Sequence, residues 1–326
     1  MVERAPIAAS MLTAAVLLKI ACAQAVAQDL QIRSCPPAAA SPTREQVQVG
    51  MRTARNRGFL WRITNDGRNS YLYGTLHIAR QDWMYLGEAV RNALSASDRL
   101  ALEIDVVDAD IRQRLQKAIA VFESDPALPE PLSARMRAEA ERACFPLPAL
   151  SAMFPEMQLS TLGLLASRSD GIYAAYGSEL FLSGFARGLR KPVLSLETPE
   201  LQMRVLRIEN RQDRDAIVEK WLGKLESGRW RALQLRLTEV WAESRVDELQ
   251  RYTEWCECLD TEAERREWRR TIDDRNLGLA DSIISILDSG QTVFAGVGVL
   301  HMIGATGLPV LLAKRGYRIE LLPFSP

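Results

Sequence analysis

"YLYGTLHIAR" (residues 71–80) and "FAGVGVLHMIGATG" (residues 294–307) carry the only two histidines of a 326-residue chain. In each stretch the histidine follows an apolar run and stands three residues after a glycine. With 19 glycines in the chain, chance would put both histidines in that register with a frequency of roughly 0.3%, so His77 and His301 are read as a pair. "FLWRIT" (59–64), "NDGRN" and "SYLYGT" (70–75) give a hairpin signal, two β-prone runs around an Asn-Asp-Gly turn, and the second run leads straight into Gly74-Thr-Leu-His77. Apolar positions then recur at helical spacing from Trp83 to Ser95, and "RLALEID" (99–105) reads as a buried strand with Glu103 near its end. The same unit returns near the other end of the chain. "QTVFAGV" (291–297) is an apolar strand, Gly298-Val-Leu-His301 follows, "GATGLPVLLAKRG" (304–316) reads as a helix and "YRIELL" (317–322) as a strand. Parallel strands joined by helices define an α/β fold, whose ligand crevice lies beyond the carboxyl ends of the strands. Both histidines stand at such ends, and a glycine there lets backbone approach a bound group without a Cβ in the way.

The stretch between the two units reads as mostly helical. Residues 109–170 are interrupted at "DPALPEPLS" and "CFPLPAL". A helix through "SELFLSGFARGL" precedes a short strand at "KPVLSLE" (191–197). Residues 200–288 are helical and heavily charged, with solvated Arg/Glu faces and inward-packing Trp221, Trp230, Trp241, Trp255 and Trp268. Lys plus Arg equals Asp plus Glu at 41 each, so no overall field attracts nucleic acid or an anionic membrane. The chain has no HExxH, no GxSxG, no P-loop and no GxGxxG.

Residues 1–27 read as a secretory signal peptide: an apolar stretch from Ile7 to Ile20, interrupted by Lys19, ahead of small-residue cleavage sites around Ala23, Ala25 and Ala27. That places the protein in the bacterial periplasm or outside the cell. Cys22 raises a lipoprotein reading, which "KIA" disfavours because it lacks an apolar residue three positions before the cysteine. No other segment suits a membrane span. Residues 28–57, rich in Pro, Ala, Ser and Arg without a sustained period, read as a flexible lead-in, and residues 58–326 as the folded domain. Cys35, Cys144, Cys256 and Cys258 remain after cleavage. In an oxidising compartment the even count favours disulfides over a soft-metal site at "CEC", with the pairing open.

Two imidazoles make a weak metal site without carboxylate help. Glu103 supplies the best candidate, because a carboxylate ending an apolar strand is costly unless it binds metal or pairs with an arginine. At these residues the chain resembles the TraB/GumN family, which is similar to the animal TIKI proteases. The resemblance runs through "FLWRITNDGRNSYLYGTLHIA", "ALEID", "YGSELFLSGFARGLRKPVLSLETPELQM", "DDRNLGLADSI" and "FAGVGVLHMIGATGLPVLLAKRGYRIELL". It implies a TIKI/erythromycin-esterase-like α/β core and, for the animal relatives, a divalent-metal-dependent peptidase activity. Carried over by position, Gly74, His77, Gly298 and His301 match the paired motifs, Glu103 the acidic position, and Arg275 with Asn276 an Arg-Asn pair. Tyr176 and Glu179 shape the site, Glu179 standing where many relatives have Asp.

The leading expectation is therefore an exported metal-dependent hydrolase of peptide or amide bonds. His77, His301 and Glu103 would hold Mn²⁺, Co²⁺ or Zn²⁺ and so activate water. Glu103 would serve as ligand or general base, Arg275 as oxyanion stabiliser and Asn276 as orienter. A variant without metal uses a histidine with a carboxylate as acid/base pair. The rivals are a haem- or metal-binding protein without catalysis, and a non-catalytic accessory factor in envelope or polysaccharide processes.

Overall fold

A computed structural model of the chain describes residues 35–122 and 125–324; the signal-peptide reading falls outside them. The chain divides into Met1–Cys35 and Pro36–Pro326, and the second unit holds the fold. Six strands form one sheet: β1 (Phe59–Asn65), β2 (Arg68–Thr75), β3 (Arg99–Leu102), β4 (Val193–Ser195), β5 (Val293–Gly298) and β6 (Arg318–Leu322), in the order β4-β3-β5-β2-β1-β6. β2, β5, β3 and β4 pair in parallel, while β1 is antiparallel to both of its neighbours. Five strands therefore share one direction and β1 opposes them, as an α/β sheet that opens with a hairpin requires.

The hairpin closes through Asp66 and Gly67, both at positive φ (48° and 75°) between the paired Asn65 and Arg68. A two-residue loop of that geometry matches the strand twist and selects Asp-Gly. β5 lies inside the sheet, and all five residues from Val293 to Val297 are buried, so both of its faces are covered. Strands of that kind read as continuous apolar runs. Trp241, at the end of the helix Arg229–Ala242, is buried against Tyr73 and donates its indole N–H to the Gly74 carbonyl at 2.7 Å. The end of β2 is thereby tied to the helical region. Trp221, Trp230, Trp255 and Trp268 are half-buried; Trp221 and Trp230 meet edge-on at 4.6 Å beside a second apolar cluster built on Leu132, Met136, Leu159 and Leu222.

Residues 44–53, inside the stretch read as aperiodic lead-in, form a helix. Thr43 and Gln46 close a capping box at its start. None of its residues is fully buried; Val47 and Met51 lie on the side that faces Met84 and Tyr85, too short an apolar face to stand out as a sustained period. Tyr176 donates to the Ala40 carbonyl and Tyr173 to that of Pro37. The four cysteines among the described residues, Cys35, Cys144, Cys256 and Cys258, are disulfide-bonded, Cys256 with Cys258, which decides the "CEC" reading in favour of disulfides. Among the described residues no helix is long and apolar enough to cross a membrane.

Candidate functional site

The four parallel strands β4, β3, β5 and β2 each release one ionisable side chain just past their carboxyl ends: Glu197, Glu103, His301 and His77. Register makes them neighbours, since Thr75 pairs with Gly298 and Leu102 lies beside both Gly296 and Ser195. A cavity of about 490 Å³ opens there, and His77, Glu103, Glu179, Arg275, Gly298 and His301 line it. Its upper walls are apolar, among them Ile104, Val106, Leu180, Leu206 and Leu237.

Arg275 organises the floor. It sits in the first turn of the helix Asp274–Asp288, directly after a π-helical turn, Arg269–Asp273, a feature often found at functional sites. A guanidinium has five N–H donors, and all five are placed. Nε donates to Glu197 Oε1 (3.0 Å), Nη2 to Glu197 Oε2 and Glu103 Oε2 (2.5 Å each), and Nη1 to the Thr271 carbonyl (3.2 Å) and toward His301 Nε2 (3.3 Å). Burial opposes the charge on Arg275, but Glu197 and Glu103 outweigh it and hold the group firmly protonated.

Glu103 is equally committed. Oε1 accepts the Gly298 N–H at 2.7 Å, and Oε2 accepts from Gln202 at 3.1 Å as well as from Arg275. Burial pushes its carboxyl up, yet the opposing charges and the Gly298 N–H win and hold it down at about 2. At neutral pH, where His301 is uncharged, Arg275 and His77 are the cations that face Glu103. Gly298 leaves room for that carboxylate: a Cβ on it would lie 3.0 Å from Glu103 Oε1, close enough to push it aside.

His301 is 3% exposed. Asn276, fully buried, gives its amide N–H to the Thr306 carbonyl (2.9 Å), which turns its oxygen toward His301 Nδ1 at 2.7 Å. Nδ1 must then carry the hydrogen, leaving the Nε2 lone pair facing Arg275. Burial lowers the His301 pKa to about 4, which agrees with this neutral tautomer.

His77 has the opposite surroundings. Its side chain is 65% exposed within the cavity, and Nδ1 lies 2.8 Å from Glu179 Oε1. The Glu179 carboxylate is the chief cause that lifts His77 above its ordinary value, toward about 9; solvent at that exposure moderates the attraction without reversing it. Burial raises Glu179, but His77 more than compensates and its carboxyl ends below the usual range. Glu179 opens the helix Ser178–Gly188, where the helix dipole also favours an anion. This helix is stitched to the first turn motif by Ser178, whose hydroxyl and backbone N–H both meet the backbone of Leu76. Gly177 allows the approach, because a Cβ on it would stand 2.6 Å from the His77 carbonyl oxygen.

Of the expected site residues, His77, His301, Glu103, Glu179, Arg275 and Gly298 line the cavity, and Asn276 supports His301 from behind. Gly74 and Tyr176 do not line it. Gly74 packs on Val299 and accepts from Trp241, and the Tyr176 hydroxyl turns away to Ala40. Glu197 and Gln202 went unmarked in the sequence. Glu197 ends "KPVLSLE" as Glu103 ends "RLALE", so the rule that singled out one carboxylate finds the other; Gln202 carries no such signal.

The donor set does not suit the expected divalent ion. Both oxygens of Glu103 are spent, His301 Nε2 faces a guanidinium, and among the described residues no group of three or more His, Cys, Asp or Glu is disposed to hold a metal. The same guanidinium denies His301 to an axial haem position. Nor does Arg275, with every N–H placed, have a donor to spare for an oxyanion in this arrangement.

Fold and site together define an α/β protein in which paired Gly-x-x-His turns meet at the carboxyl edge of one sheet around a buried arginine. The TraB/PrgY/gumN family model matches residues 59–321, and the chain belongs to this family. Neither a curated protein nor a solved structure matches it.

Proposed function

We propose that the protein is an exported hydrolase of peptide or amide bonds in which His77 and Glu179 are the reacting pair. Glu103, Glu197, Arg275, Asn276 and His301 form the rigid frame beside them. The observation that carries this reading is that His77 is the most exposed of these ionisable groups in the cavity, and that Glu179, which also lines it, lies against its Nδ1. Two neighbouring groups whose surroundings push their proton affinities apart are the usual basis of acid/base assignments. Disulfide-bonded cysteines accord with an oxidising compartment.

In this mechanism Glu179 takes a proton from a water as its oxygen bonds to the scissile carbonyl carbon, and the carbonyl π pair moves onto oxygen. The His77 imidazolium then gives its proton to the leaving nitrogen as the C–N bond breaks. Glu179 returns its proton to His77, and a carboxylic acid and an amine leave. The apolar walls take the substrate's side chain and exclude bulk water. No step passes through a metal ion.

The test is cleavage of a peptide library by the mature protein, with and without a chelator, alongside His77→Asn and Glu179→Gln. Loss of about 100-fold in either variant, the scale of general acid/base catalysis, and indifference to chelator are expected. Abolition by chelator would return the ion expected from the sequence, and absence of any cleavage would favour the binding or accessory readings.

A further inference from the structure

Three acceptors converge on one point of the cavity floor from three different strand ends: the Glu197 carboxylate after β4, Glu103 Oε2 after β3 and His301 Nε2 after β5. Each is oriented by a separate contact. Glu103 is fixed by Gly298 and Gln202, and His301 by Asn276, which forces its lone pair inward. Glu197 continues the β3–β4 ladder, its N–H bonded to the Glu103 carbonyl at 3.0 Å. Two anions and a neutral imidazole thus face one place without forming a group disposed to hold a metal ion. Here the place is filled by the planar fork of Arg275, with two parallel N–H···O bonds to Glu197 and a third to Glu103. Bidentate pairing of this kind selects a guanidinium over a compact cation.

We infer that Arg275 is the resident cation of this site, and that Glu103, Glu197 and His301 form a guanidinium cradle filled from within the chain, with Glu197 as the positioning residue that fixes the fork. The binding claim stands apart from the hydrolase reading, which enters only where cleavage is measured. Because the cation is covalently part of the chain, it neither dissociates nor exchanges. Removing its side chain should open a site for a free guanidinium ion, and to that ion Glu197 would be the bidentate partner.

The experiment compares wild type, Arg275→Ala and the double variant Arg275→Ala/Glu197→Gln. Melting temperature is read with guanidinium at low millimolar concentration, with sodium and methylammonium as controls, and Co²⁺ uptake is followed by absorbance. Wild type should bind no Co²⁺ and gain nothing from guanidinium. Arg275→Ala should melt lower and recover stability with guanidinium but not with methylammonium. The double variant should bind guanidinium at least about tenfold more weakly, as expected when one of two parallel charge-assisted bonds is lost. A role for Glu197 in fold stability alone would lower the melting point without touching that affinity. One Co²⁺ per wild-type chain, lost in His301→Ala, overturns the inference. So does a folded Arg275→Ala that guanidinium fails to stabilise. If Arg275→Ala does not fold, Arg275→Lys replaces it: a stability matching wild type refutes the need for the fork, and a large loss supports it. Chelator-sensitive cleavage with no guanidinium site would refute both readings, whereas no cleavage with a guanidinium site refutes the hydrolase alone.

Discussion

Substituting Asn276→Asp tests how the buried histidine is held, and the outcome follows from two contacts. In the wild type the Asn276 oxygen faces His301 Nδ1 at 2.7 Å, and its amide N–H satisfies the Thr306 carbonyl at 2.9 Å. Aspartate keeps the first contact and converts the second into two facing acceptors. Leaving a buried carbonyl unmatched costs about 1–3 kcal/mol, so the variant should be less stable at pH 8. The pH dependence should flatten as well. Wild-type His301 has a folded pKa near 4, below the unfolded value of about 6.5, so the unfolded chain binds more protons between those values and stability falls as pH drops through the window. His301 is the only histidine acting there. His77, raised in the folded state, contributes stability that is complete below about pH 6.5 and is lost only as pH rises toward 9. Carboxylates enter below about pH 5. From pH 6.5 to 5 the wild type should therefore lose about 1.5 kcal/mol. A carboxylate 2.7 Å from Nδ1 raises a histidine by about 1–3 units, which removes most of that loss. Denaturant unfolding at half-unit pH steps reads both slopes, and histidine NMR reads the pKa directly. A wild-type His301 that titrates at or above 6.5, or a slope unchanged by Asn276→Asp, refutes the tautomer and burial argument.

Gly298→Ala should displace Glu103, since the new Cβ lies 3.0 Å from Oε1; a destabilisation of about 1–3 kcal/mol in denaturant unfolding, with loss of cleavage, is expected. Trp241→Phe keeps the ring but removes the N–H that meets the Gly74 carbonyl; unfolding should register about 1–3 kcal/mol, and a neutral result would mean that this tie does not hold the first histidine turn. Cleavage should decline as pH rises through about 9, where His77 loses the proton it donates, and a kcat/KM profile flat to pH 10 would contradict its role as the acid. In the same profile the acid limb should lie below the ordinary carboxylate range, because His77 holds Glu179 there against burial.

The parts of the fold legible in the sequence were those with local causes. An Asp-Gly pair that must adopt positive φ marks the hairpin, and an unbroken apolar run marks an interior strand such as β5. The paired glycine-histidine spacing marks the two strand ends that meet. The helix at residues 44–53 escapes because its apolar face is only Val47 and Met51, set in a Pro-, Ala- and Arg-rich stretch, and its clearest local signal is a capping box. The helix expected over 304–316 begins only at Leu308, because Gly304 at positive φ and Gly307 hold a turn before it. Within the site, residue types showed which groups are ionisable but not how they pair. Glu103 invites either a metal or an arginine when read alone, and only the tertiary fold brings Arg275, 172 residues later, against it. Glu197 follows its short strand as Glu103 does, but its role as the second half of the clamp depends on Arg275, 78 residues away.

Identical motifs thus produce two histidines in opposite states. His77 and His301 each follow a glycine by three residues at the end of adjacent parallel strands, so spacing fixes where both side chains arrive. What differs is what waits there. His77 meets a carboxylate on an open wall and becomes a proton donor; His301 meets an amide oxygen and a guanidinium in a closed one and stays a neutral acceptor. Had both met carboxylates, two imidazolium ions would face one another across the cavity, and their repulsion would have to be absorbed by the same floor that Arg275 already charges. The arginine clamp avoids this by placing the site's permanent positive charge among two anions and an uncharged ring, which keeps it apart from the His77–Glu179 pair to which the proposed proton cycle is assigned.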